Sequence, residues 1–153
     1  MMKNDVMNYA LEAGNPYLLG AYAPTFKEVI AEDLEVIGEI PKYINGVYVR
    51  NGPNPKFTPI GHYHWFDGDG AILGVHFTDD GATGVYRYVQ TQGYLEEEKQ
   101  DKFIYPNYGM TAAGAFWNNL LKPVKNAANT SVLALPDRLL ALWEGGKPHA
   151  LDL

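Results

Sequence analysis

Residues 48–70 read YVRNGPNPKFTPIGHYHWFDGDG, and this stretch decides the fold. It holds two Asn-Pro-type turn signals, a His-X-His pair and a double Asp-Gly signal between aromatic and β-branched runs. Such alternation builds short strands joined at steep corners. Gly46–Arg50 is predicted as a strand closed by Asn51-Gly52-Pro53-Asn54-Pro55, and His62–Phe66 as the next. Asp67-Gly68-Asp69-Gly70 is predicted as a hairpin turn with glycines at positive φ, and Ala71–Phe77 as the returning strand. Asp79-Asp80-Gly81 turns again into a long strand over Thr83–Gln92. There Val85, Arg87 and Val89 share one face, and Tyr86 and Tyr88 the other.

Working outward, Leu34–Ile40 alternates like a strand and Pro41 stops it. Residues 1–14 read as a mobile or weakly helical arm, ended by Asn15-Pro16. Glu96–Lys99 reads as a solvated turn or short helix, and Met110–Leu121 as a short helical or apolar insertion. Asn129–Leu135 and Arg138–Glu144 are predicted as a last hairpin across Pro136-Asp137. Successive hairpins make a meander, the unit of a propeller blade, so the expected class is all-β.

The composition agrees. Eleven Tyr, six Phe and three Trp, with 16 Gly and 10 Pro, favour strands and turns over helices. The net charge of −6 gives no basic footprint for nucleic acid. The chain has no Cys, which excludes disulfides, thiolate metal sites and a Cys nucleophile. The N-terminal residues lack an uninterrupted apolar core and a small-residue cleavage site, so no signal peptide is expected. No window nears the length of a membrane-spanning helix. The expected location is cytoplasmic.

Several motifs carry a chemical reading beside a structural one. His62 and His64, two apart on a predicted strand, would share a face and could hold a metal with His76, Asp67 or Asp69. The competing reading packs them among Tyr63, Trp65 and Phe66. The Asp-Gly pair fails as a calcium loop, because Ala71 and Thr78 stand where oxygen ligands are needed. The Arg50–Pro55 corner lacks the glycine spacing and the Lys-Ser/Thr of a phosphate loop, and Arg50 is expected to brace it through carbonyl groups. Glu144 ends the apolar run Leu139–Trp143, so it must be paired, hydrogen-bonded or at the strand's exit. No Ser-His-Asp order or nucleophile elbow supports a hydrolase.

Four ordered blocks add a resemblance: NPYLLGAYAP at 15–24, IP-x-x-I-x-G-x-Y-x-RNGPNP at 40–55, HWFDGDG at 64–70, and NTSVLALPDRLLALWEGGKPHALD at 129–152. Together they resemble the N-terminal region of the carotenoid cleavage oxygenases, which include lignostilbene dioxygenases and the retinal pigment epithelium retinoid isomerase. The resemblance implies the first blades of a seven-bladed β-propeller over 15–153, incomplete in itself, after the arm at 1–14. It implies Fe(II) held on the propeller axis by His side chains, with Glu residues behind them fixing the ring angles. It also implies O2-dependent cleavage of a C=C bond in an apolar polyene or stilbene. By position Glu144 matches the first of those Glu residues, and the iron-ligating His fall past Leu153. None of His62, His64, His76 or His149 matches a ligand, so no catalytic residue or metal ligand is expected within this chain. After the Asp-Gly turn the family continues with Met and then His, where this chain has Ala71–His76.

Phe116, Trp117, Leu120 and Leu121 fall where family members carry an apolar patch that dips into a membrane beside the substrate tunnel; ordinary packing is the other reading. Taken alone, such a piece is expected to be inactive and to leave strand edges open. The alternative is a short non-catalytic module that binds an apolar ligand, a membrane surface or a full-length relative.

Overall fold

The computed structural model describes residues 8, 11–12, 14–59, 62–108, 120 and 123–151. Four strands, β1 (Val29–Ala31), β2 (Gly46–Asn54), β3 (Asp69–Thr78) and β4 (Gly81–Tyr88), form an antiparallel sheet in the order β1-β4-β3-β2. Three more, β5 (Ser131–Leu135), β6 (Arg138–Leu142) and β7 (His149–Leu151), form a second antiparallel sheet in chain order. Between them in the chain lies the helix α1 (Gln92–Gln100). The β5–β6 hairpin turns at Pro136-Asp137 as expected, and β7 is an addition.

Three expected strands differ from the structure. Leu34–Ile40 is irregular, and Ile37 is 94% exposed. The edge beside β4 is already taken by β1, paired Val29 to Tyr86 through Ala31 to Gly84. Leu34 keeps one tie, its N–H donating to the Ala82 carbonyl at 2.9 Å. His62–Phe66 is not a strand either, because side chains there outcompete a ladder. The Asp67 carboxylate accepts from the His64 N–H at 3.1 Å, and His64 Nδ1 accepts from the Phe66 N–H at 3.2 Å. The result is a 3-10 turn over Trp65–Asp67. The strand expected to reach Gln92 ends at Tyr88, and Thr91 caps α1 by accepting from the Tyr94 N–H.

The Asp-Gly motif is no hairpin turn. Asp69 and Gly70 open β3, opposite Asn54 and Pro53. β2 therefore runs through Asn51–Asn54, where the sequence predicts a corner. It can include Pro53 because it is an edge strand, where a missing N–H leaves no ladder bond broken. Gly68 has φ −71°, so backbone freedom is not what it supplies. Close approach is: a Cβ on Gly68 would lie 2.4 Å from the Asn54 nitrogen, and one on Gly70 2.2 Å from the Ala128 oxygen.

The segment Glu96–Lys99 is helical but not solvated throughout. Glu97 is wholly buried, with Lys125 Nζ at 2.5 Å from its Oε2 and at 2.6 Å from Asp69 Oδ1. Glu97 Oε1 accepts from the N–H groups of Ile104 and Tyr105. Burial works to lower the Lys125 pKa, but the two carboxylates outweigh it and raise it. The apolar core is divided: Leu18, Phe57, Tyr63 and Phe103; Ala71, Tyr88 and Tyr94; and Val89, Ala128 and Ala141 where the two sheets meet.

Candidate functional site

Glu144 stands just past the end of β6, in a turn closed by the Gly146 N–H donating to the Trp143 carbonyl. The Trp143 ring folds over Gly145, where a Cβ would lie 2.5 Å from it. Glu144 is exposed, and its Oε2 accepts from the Thr130 hydroxyl at 2.9 Å. Thr130 is held to the same hairpin by its N–H, which donates to the Leu142 carbonyl at 3.0 Å. The other Glu144 carboxylate oxygen accepts no hydrogen bond among the described residues.

Asn129 joins this hairpin end to the first sheet. Its amide donates to the carbonyls of Phe66 at 2.9 Å and Gly68 at 2.7 Å, which turns its oxygen toward the Thr130 hydroxyl at 3.3 Å. A hydroxyl has one proton, and the shorter contact to a carboxylate takes it. Asn129 is thus bonded to the Phe66 and Gly68 carbonyls, and its chain neighbour Thr130 carries the hydroxyl that reaches Glu144.

Phe66 belongs to an exposed strip of rings. Tyr17 stacks on Trp65 at 5.6 Å and Tyr22 meets Trp65 edge-on at 5.0 Å. Trp65 lies 6.4 Å from Phe66, Phe66 5.1 Å from His64, and His64 6.4 Å from Tyr108. Beside Tyr17, Tyr22 and Trp65 opens a cavity of about 540 Å³, walled also by Arg50, Tyr63 and Tyr86. Burial pushes the Tyr63 and Tyr86 phenols up, so both stay neutral donors. Arg50 makes no side-chain hydrogen bond among the described residues; Asn51 and Asn54 supply the side-chain hydrogen bonds of this stretch instead. The Asn54 amide bonds the Thr25 backbone at 3.0 and 2.7 Å and donates to the Tyr88 hydroxyl.

The Asn51 amide donates to the carbonyls of Ala128 at 2.8 Å and Ser131 at 3.1 Å. Its own oxygen is buried and accepts nothing among the described residues. Ala128 has φ +44°, a left-handed conformation unusual for a residue with a Cβ.

The histidines weighed as ligands do not converge. His62 and His64 are exposed, His76 is exposed on β3, and His149 opens β7. Among the described residues no group of three or more His, Asp and Glu could hold a metal ion. Phe116, Trp117 and Leu121 lie outside the described residues; Leu120 is 62% exposed. No helix among the described residues is long and apolar enough to cross a membrane. Sequence reasoning overlooked Thr130, Asn129 and the ring strip. Thr130 was within reach, since the Pro136-Asp137 turn pairs Ser131 with Leu142 and so sets Thr130 beside the strand's exit.

Comparison with known proteins is consistent across three kinds of match. The family model described as retinal pigment epithelial membrane protein matches residues 22–153. The apocarotenoid-15,15'-oxygenase of Synechocystis is 42% identical over 127 residues, 79% of this chain and 25% of that protein. The carotenoid 9,10(9',10')-cleavage dioxygenase 1 of Pisum sativum is 38% identical over 151 residues, 90% of this chain and 28% of that protein. Among solved structures, a lignostilbene dioxygenase of Pseudomonas brassicacearum superposes with TM-score 0.77 at 34% identity, covering 91% of this chain and 29% of that one. The chain therefore spans under a third of the length of the relatives it matches. The two sheets are a partial form of those relatives' propeller fold, and the chain belongs to the carotenoid cleavage oxygenase family, that of the retinal pigment epithelial membrane protein.

Proposed function

We propose that this chain is part of a non-haem Fe(II) dioxygenase that cleaves a C=C bond of a carotenoid, an apocarotenoid or a stilbene with O2. The observation that carries the reading is the Glu144 carboxylate, held at the hairpin exit by Thr130 on one oxygen and open on the other. An open carboxylate oxygen suits the N–H of a metal-ligating imidazole, whose tautomer and ring angle it would set. The described residues do not themselves make a metal site, so the ligating imidazoles belong to residues other than these. Ferrous iron, where bound, supplies the activation of O2. The exposed rings from Tyr17 to Phe66 fit an apolar, conjugated substrate, and they are tied to Glu144 through Asn129. Leu120, with Phe116, Trp117 and Leu121, would let such a substrate enter from a membrane surface. On this reading the 153-residue chain alone has no turnover.

The test is a chimera in which this chain replaces the matching segment of the Synechocystis apocarotenoid oxygenase. The expected result is stoichiometric iron and cleavage of an apocarotenal under O2. A folded chimera that binds iron and cleaves nothing would overturn the reading. It would favour a non-catalytic module that binds apolar ligands. Stoichiometric iron and turnover in the isolated chain would also sink it.

A further inference from the structure

We propose that Asn51 is a positioning residue: it clamps the strained corner at Ala128 and so holds the Thr130 hydroxyl on Glu144. The inference rests on the reading of Glu144 given above and deepens it. Three observations meet at this corner. Ala128 sits at φ +44°, where a side chain is disfavoured, so something must hold it there. The Asn51 amide does so from the neighbouring sheet, bonding the Ala128 and Ser131 carbonyls on either side of Thr130. It does so while burying an oxygen that accepts nothing among the described residues.

Neighbouring groups pack close to the corner but do not bond the Ala128 carbonyl as Asn51 does. Gly70 donates its N–H to the Ala127 carbonyl at 2.8 Å and has no room for a Cβ against Ala128. The Asn126 oxygen accepts from the Ala128 N–H at 3.2 Å. Two residues on, Thr130 is aimed at Glu144. The turn from Ala128 to Thr130 thus sets the hydroxyl's direction, and the hydroxyl selects which carboxylate oxygen remains open.

The experiment is side-chain NMR on the 153-residue chain, reading Thr130 χ1 and Ala128 φ from three-bond couplings alongside thermal melts. In the parent chain a single Thr130 rotamer and a positive Ala128 φ are expected. Asn51→Ala should move Ala128 out of the left-handed region and average the Thr130 couplings. Asn51→Ala combined with Ala128→Gly should return them toward the parent, because glycine tolerates the left-handed region. A purely structural Asn51 would lower the melting temperature and leave both couplings unchanged; that result overturns the proposal. If Asn51→Ala does not fold, the combined variant is compared with Ala128→Gly alone. Thr130 couplings that differ from those of Ala128→Gly alone, or a combined variant that still fails to fold, count against the proposal, because glycine should make the clamp dispensable. Because the readout needs neither iron nor turnover, it fails independently of the chimera.

Discussion

Glu144 and Gly70 show two ways in which one residue matters. Glu144 is exposed, so removing its charge should leave the fold intact. In the chimera, Glu144→Gln should lower kcat or iron affinity by about 10–100-fold, the usual effect of losing an outer-shell carboxylate. Melting temperatures of the two chimeras should agree; a fall in stability with no change in kcat or iron affinity would count against the assignment. Gly70 is the opposite case. A Cβ would meet the Ala128 backbone oxygen, which cannot swing aside as a side-chain end can. Gly70→Ala should cost at least the upper part of the roughly 1–3 kcal/mol typical of overpacking. Urea denaturation measures it, and a cost near zero would show that the corner yields.

At the scale of elements, α1 is tied to the body of the fold by charge as well as by apolar contact. Lys125 is sandwiched between Glu97 of α1 and Asp69 of β3, with all three side chains buried. Removing one partner of a buried pair leaves the others uncompensated. Lys125→Met should therefore cost about 3–5 kcal/mol, much of the stability of a small domain. Chemical denaturation would show it, and a variant as stable as the parent would mean the carboxylates can take up protons cheaply. The insertion over 110–121 makes a separate prediction. Trp117→Asp with Leu121→Asp should reduce co-sedimentation with lipid vesicles, and unchanged binding would count against a membrane role for this segment.

For the whole molecule, pH acts through groups that are neutral or paired when folded. Burial pushes the phenols of Tyr63, Tyr88 and Tyr94 above their ordinary 10.0, and Asp69 with Glu97 holds Lys125 above its ordinary 10.5. In each case the folded state keeps a proton that the unfolded chain loses first. Stability from these groups is complete below about pH 10 and falls as the pH rises through their folded-state values. Urea midpoints at pH 8, 10 and 11 should drop in that order. Midpoints flat from pH 8 to 11 would mean the burial of these rings is not maintained in solution. Exposed apolar groups on the outer strands, among them Ile30 on β1 and Val47 on β2, leave edges on which other strands can pair.

Local chemistry made part of this legible in advance. The β5–β6 hairpin followed from two apolar runs around Pro136-Asp137, and β3 and β4 from alternation around Asp79-Asp80, because a tight turn sets its register by itself. The family was readable because four blocks keep their order; Glu144 was singled out by its place in one of them. What alternation could not reveal was which segments have a neighbour to pair with. Leu34–Ile40 has the pattern of a strand but finds its edge occupied by β1. The glycines of the Asp-Gly motif look like turn residues but serve close approach to Asn54 and Ala128, residues distant along the chain. The same holds for Glu97, which by sequence belongs to a solvated charge run and in three dimensions lies buried on Lys125. The registers of the β3–β4 and β5–β6 hairpins are set by the tight turns that join them, so the sequence alone determined those. Burial, ion pairing and the Phe66–Asn129–Thr130–Glu144 connection depend on which distant segments meet, and only the tertiary structure decided those.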